Sequence, residues 1–258
     1  MDYDRPANGN APADPERRAY IPRSTGDRPV APTDPERLPP RPQRQRMAVF
    51  GGSFNPIHNG HLFLAGNLLR ENLADEVLFI PAGQQPHKPA DALAPAEQRL
   101  AMLHAALDPF TAFGISDIEI RRAPEPAYTF DTMETLHIAF PEHDLIFVMG
   151  ADCLAELHTW HRATELVTHQ EFIIHPRPGV DLTSLATLVG HFGTLGGRKL
   201  RGAILRDPPL LPVSASQIRD LCAQGKSLAG LVPEAVIALI QKQELYGHPK
   251  PRERQHRR

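Results

Sequence analysis

The stretch that most constrains this chain spans residues 47–69, MAVFGGSFNPIHNGHLFLAGNLL. A short apolar run, Ala48, Val49 and Phe50, ends in Gly51 and Gly52. That reads as a buried strand whose backbone turns sharply and brings its N–H groups close to a ligand. Ser53, Phe54, Asn55, Pro56, His58, Asn59, Gly60 and His61 follow, and then Leu62, Leu64, Ala65, Leu68 and Leu69 at the spacing of one helix face. A strand that turns through glycine into a helix is an anion site, because free N–H groups and the positive dipole end meet there. Two imidazoles three residues apart around the first turn can face one bound group. The stretch therefore predicts a phosphate site.

The remainder of the chain sets bounds on what surrounds that site. With 258 residues, 41% of them hydrophobic, there is material for one substantial α/β domain with tails, and wholly disordered behaviour is excluded. A formal charge of −2 gives no global attraction for nucleic acid, and none is expected as a partner. Cys153 and Cys222 lie far apart without C-x-x-C spacing, so neither a disulfide framework nor a zinc site is indicated. That usage fits a reducing cytoplasm, the expected location. No apolar run approaches the roughly 20 residues that span a bilayer, and the N-terminus lacks the apolar core of a secretory signal. Residues 1–46 hold ten prolines and the weak repeat Asp14-Pro15-Glu16-Arg17, Asp34-Pro35-Glu36-Arg37. Their composition predicts a disordered extension, with a partner-binding arm as the alternative. The folded domain is expected over 47–246 and a basic disordered tail over 247–258.

Within the domain the elements alternate. Strands are expected at 77–80, 145–149 and 172–174, with strand character also at 113–120 and a last short strand at 202–205. Helices are expected at 94–107, from a Thr or Asp cap near Thr129, over 181–189, from a Ser cap near Ser214, and over 233–243. This order predicts a Rossmann-like doubly wound α/β fold with a mostly parallel sheet, its ligands across the C-terminal strand ends beside the first strand.

Further candidate residues fall at those strand ends. The loop Pro86-His87-Lys88 offers two cations, or else only a solvated lysine beside a turn. Asp152, just past the strand at 145–149, can hold sugar hydroxyls or merely cap a helix. Trp160, the one tryptophan, stands in the polar run His158-Thr159-Trp160-His161-Arg162, where stacking on an aromatic ligand competes with a place in the core. Ser214, Ser216 and Arg219 form either a second phosphate corner or an ordinary capped helix start.

Taken together these motifs resemble a known family. Residues 51–61, with His58-Asn59-Gly60-His61, are similar to the H-x-G-H signature of the nucleotidyltransferase superfamily. Residues 213–219 resemble its second signature, I-S-S-T-x-I-R. Pro86-His87-Lys88, Tyr128-Thr129-Phe130-Asp131-Thr132 and Gly150-Ala151-Asp152 followed by Trp160-His161 narrow the resemblance to bacterial nicotinate-nucleotide adenylyltransferases, over about residues 47–246. Asn55 stands where an Asp is commoner, and Ala215 where Ser is usual.

The resemblance implies adenylyl transfer from ATP to nicotinate mononucleotide, giving nicotinate adenine dinucleotide and pyrophosphate in NAD biosynthesis. It implies that Gly51, Gly52, Ser53, Phe54, His58, His61, Ser214, Ser216 and Arg219 bind ATP, with His58, His61, Lys88 and Arg219 acting on the transferring phosphates. Lys88, Thr129, Asp152, Trp160 and His161 would hold the acceptor. Mg²⁺ would arrive with ATP rather than in a protein metal site, and a homo-oligomer is left open. Three other enzymes or binders compete. A phosphopantetheine adenylyltransferase shares both phosphate motifs, a Rossmann dehydrogenase lacks support because G-x-G-x-x-G is missing, and a zinc protein lacks a third ligand of suitable spacing. A nucleotide sensor without turnover is the non-enzyme alternative.

Overall fold

The computed structural model describes residues 44–83, 93–176, 182–206, 208–209 and 211–247. Five strands, β1 (Gln45–Gly52), β2 (Glu76–Pro81), β3 (Phe113–Ile115), β4 (His143–Gly150) and β5 (Glu171–His175), pair in the order β3-β2-β1-β4-β5. Every pairing is parallel. Successive side chains alternate between two cores. Met47, Val49, Leu145, Phe147, Phe172 and Ile174 face one, whereas Ala48, Phe50, Val77, Phe79, Val148 and Ile173 face the other. Strands covered on both faces must be apolar throughout, which is why they are legible as short hydrophobic runs.

Helices cover both faces. Against Ala48 and Phe50 pack α1 (Asn59–Arg70) and α2 (Ala96–Leu107), joined by two later helices numbered α7 (Ala215–Ala223) and α8 (Glu234–Lys242). The opposite face takes the one-turn α3 (Ile118–Arg121), then α4 (Thr129–Ala139), α5 (Ala163–His169) and α6 (Leu185–Gly202). This is a Rossmann-like doubly wound fold. Its connections run outward from β1 in both directions, so the switch point lies between β1 and β4. Among the described residues no helix is long and apolar enough to cross a membrane.

Several elements differ from expectation. The strand expected over 113–120 stops at Ile115. The Ser116 N–H still reaches Phe79 O (3.0 Å), but the Ser116 hydroxyl then accepts from the Ile118 N–H (3.4 Å) and turns the chain into α3. The strand expected at 202–205 is one bridge, Ile204 beside Ile174, because Gly202 still belongs to α6. That helix starts at Leu185 behind a Ser184 cap and breaks at Gly193, whose φ of 69° only glycine adopts cheaply. Helix α4 is preceded by Tyr128 with no side-chain cap, so Thr129 is its first residue and Asp131 lies in its first turn. There the carboxylate meets the positive dipole end.

Strand β1 also begins ahead of its apolar run. Gln45 and Arg46 pair with His143 and Asp144 of β4. The Arg46 N–H donates to Asp75 Oδ2 (2.9 Å), and Arg46 O accepts from the Asp75 N–H (2.8 Å). A chain starting at Met47 is therefore expected to be less stable than one starting at Arg44 by about 1–3 kcal/mol, the net worth of two such bonds. Urea denaturation of both proteins measures this, and coincident midpoints would contradict the assignment of Gln45 and Arg46 to the sheet.

Candidate active site

The turn expected to bind phosphate, here the phosphate turn, sits where the topology puts ligands, at the C-terminal end of the central strand. Gly51, Gly52 and Ser53 are half-buried, and Phe54 is buried with φ 43°. His58 caps α1 from an extended conformation and is 6% exposed, deep for an imidazole. His61, one turn on, stacks on it with ring centroids 3.6 Å apart. The His58 N–H donates to His61 Nδ1 (3.2 Å). Since Nδ1 accepts, the proton of a neutral His61 resides on Nε2, which leaves that nitrogen as a donor. Phe50 and Phe54 meet the His61 ring edge-on at 5.9 and 5.1 Å and hold it in place. The helix end contributes fewer free donors than its sequence suggests. Asn59 N–H already goes to Leu231 O (2.9 Å), and His61 N–H to His58 O (2.9 Å), so its main contribution is the dipole.

The second motif comes to the first. Ser214 caps α7 by accepting from the Gln217 N–H (3.2 Å), and its own proton remains available for donation. Capping and phosphate contact are thus compatible. Arg219 donates through Nη1 to Asn55 O (2.8 Å) and through Nη2 to Ser216 Oγ (3.2 Å), which ties the guanidinium to the phosphate turn. Gly60 lies where the motifs touch. A Cβ there would come 3.0 Å from His58 Nδ1 and 3.4 Å from Val213 O.

The expected acceptor residues form a neighbouring group. His161 stacks on Tyr128 (4.6 Å between centroids) and places Nε2 3.8 Å from Asp131 Oδ1, so it stands at the start of α4 beside Thr129. Trp160 is half-buried, packed on the core with its ring edge-on to Phe147 at 6.3 Å. The same Phe147 lies under Gly51, where a Cβ would be 3.7 Å from its ring, so one side chain separates the phosphate turn from the indole. Asp152 is exposed in the first turn of the 3-10 segment Ala151–Ala155, directly after β4. Lys88 lies outside the described residues.

Beneath these groups runs a buried polar layer that the motifs do not announce. Arg99, 3% exposed, donates to Ser53 O (2.9 Å) and Ala94 O (3.1 Å). Burial lowers its pKa, while nearby Tyr246 and Glu119 oppose that shift. Glu119 accepts from the Thr132 hydroxyl (3.1 Å) and the Gly83 N–H (3.4 Å), and burial pushes its carboxyl above the ordinary range against those bonds and the charges of Arg122 and Arg99. One sequence signal could have found Arg99. It occupies the apolar stripe of α2 with Met102, Leu103 and Ala106, where a charge needs buried partners. Around the phosphate corner the donors are imidazole, hydroxyl and guanidinium, which suit phosphate oxygens better than a hard cation.

A family model described as cytidylyltransferase-like matches residues 49–221. The probable nicotinate-nucleotide adenylyltransferase of Synechococcus sp. (strain JA-3-3Ab) is 38% identical over 211 residues, covering 82% of this chain and 99% of the relative. Its counterpart in Symbiobacterium thermophilum is 37% identical over 201 residues, covering 78% and 95%. A solved structure, Plasmodium falciparum nicotinic acid mononucleotide adenylyltransferase complexed with NaAD, shares the fold. Its TM-score is 0.64 at 19% identity, over 80% of this chain and 98% of that one.

Gly60→Ala should push the His58 ring away from His61 and spread the two motifs. The expected result is a loss of turnover on the order of 10²-fold, as for small misplacements of catalytic groups, with secondary structure retained. Steady-state rates alongside circular dichroism test it. Wild-type turnover in a folded variant would show that this contact does not set the site.

Proposed function

Because this chain belongs to the nicotinate-nucleotide adenylyltransferase family, nucleotidyltransferases of NAD synthesis, we propose that it joins ATP and nicotinate mononucleotide into nicotinate adenine dinucleotide and pyrophosphate. In this reaction a phosphate oxygen of the mononucleotide attacks the α-phosphorus of ATP. The bond from that phosphorus to the β-phosphate bridging oxygen breaks, and pyrophosphate leaves. Both reacting groups are phosphates, so the protein needs no nucleophile; its work is in-line positioning and stabilisation of charge. The observation that carries the reading is the convergence of donors at one corner, where His61 is locked as an Nε2 donor and Arg219 is bonded to the phosphate turn. His61, Arg219, Ser214, Ser216 and the α1 dipole would face the triphosphate, with His58 backing His61 and Gly51, Gly52, Ser53 and Phe54 shaping the floor. Lys88 would add a cation. ATP enters as its Mg²⁺ complex, the cation travelling with the phosphates.

The acceptor would lie across Phe147 from the phosphates. Trp160 offers a face for the pyridine ring, Asp152 acceptors for ribose hydroxyls, and the N-terminus of α4 at Thr129, with His161 beside it, donors for the ring carboxylate. A helix N-terminus favours a carboxylate over a carboxamide, whose NH₂ end brings a donor where an acceptor is wanted. Product analysis with ATP, Mg²⁺ and either nicotinate or nicotinamide mononucleotide tests the reading, and the acid should be the faster substrate. Turnover of phosphopantetheine in place of both would overturn it.

Trp160→Ala separates stacking from packing. Ring stacking is worth about 0.5–1.5 kcal/mol beyond area burial, so acceptor affinity should fall on the order of 10-fold once lost burial is added. ATP affinity should hold. Calorimetric titration with each substrate and a melting curve on the same variant decide the matter, and equal losses for both substrates in an unstable protein would assign Trp160 to the core alone.

A further inference from the structure

Tyr246, near the end of the described chain, is separated by 191 residues from the group it touches. Its hydroxyl donates to Asn55 Oδ1 (2.9 Å), inside the phosphate turn. Asn55 is 2% exposed, and its side-chain oxygen also accepts from the Ala94 N–H (3.0 Å) while its backbone oxygen accepts from Arg219 (2.8 Å). One residue thus gathers the turn, the approach to α2, the arginine of α7 and the C-terminal segment Leu245–Gly247. Arg99 braces the same junction through Ser53 O and Ala94 O. Burial pushes the Tyr246 phenol well above its usual pKa, so it stays a donor throughout the working range.

We propose that Tyr246 is a positioning residue for ATP, acting through Asn55 to hold Arg219 against the phosphate turn. The inference rests on the reading of that corner as the triphosphate site. Losing the hydroxyl leaves Asn55 Oδ1 held by the Ala94 N–H but no longer by the C-terminal segment, and the backbone carbonyl that anchors Arg219 shifts with it. Among the described residues, the bonds of this junction run to Ala94, Arg99, Arg219 and Tyr246 rather than to Trp160 or His161, so the effect should be confined to the nucleotide.

Tyr246→Phe keeps the ring and removes only the donor. In this variant ATP and pyrophosphate affinities and the transfer rate should each fall on the order of 10-fold, as expected for misplaced phosphate donors, with the KM for nicotinate mononucleotide unchanged. Asn55→Leu, which removes the acceptor, should reproduce the loss. ATP and pyrophosphate titrations need no turnover. They therefore read the inference even if the wild-type protein fails to use nicotinate mononucleotide, an outcome that strikes the functional reading instead. If Tyr246→Phe lowers the melting temperature but leaves ATP and pyrophosphate binding and rate intact, Tyr246 is structural and the proposal is wrong. Wild-type binding by Asn55→Leu would overturn it equally.

Discussion

The parallel pairing of β1 with β2 on one side and β4 on the other is the constraint on which everything else depends. It fixes the height at which Gly51 and Gly52 leave the sheet, level with Ile80 and Pro81 of β2. Because β1 is central and covered on both faces, that height cannot shift without moving both cores. The phosphate turn is thereby a rigid ledge. Side chains that reach it from distant elements, Arg99 from α2, Arg219 from α7 and Tyr246 from the C-terminal segment, find their partners already in place.

That rigidity matters to the proposed chemistry. Displacement between two phosphates gains little from covalent help and much from donors that need no reorganisation. His61 illustrates the point. Its tautomer is set by a backbone N–H and its ring by two phenylalanines, so the donor nitrogen is oriented before any ligand arrives. The cost lies in the buried polar layer beneath. Arg99 is buried and Glu119 half-buried, and each is tolerated because hydrogen bonds and an opposite charge answer it.

Much of this was legible in the sequence, for reasons that also explain what was not. Strands β1, β2, β4 and β5 show as apolar runs because both faces of the sheet are covered, and the Ser214 cap shows because serine is strongly favoured just before a helix. The end of β3 was hidden, since it depends on a serine hydroxyl bonding two residues ahead rather than on any loss of apolar character. The break in α6 rests on a single backbone angle at Gly193, one glycine among several nearby. The bonds from Asn55 to Ala94, Arg219 and Tyr246 join residues 39, 164 and 191 apart. Local pattern carries no trace of such pairings. Asn55 could be seen as a departure from the family's usual Asp, but the donors that its side-chain oxygen meets appear only in three dimensions.

The role proposed for His61 is to act on transferring charge rather than on the fold. Its most direct test is the single-turnover rate of His61→Ala with ATP and nicotinate mononucleotide, measured with the variant's melting temperature. Loss of one preorganised electrostatic donor predicts a rate lower by about 10²- to 10³-fold in a protein that melts within a few degrees of wild type. A stable variant that turns over near the wild-type rate would contradict the claim.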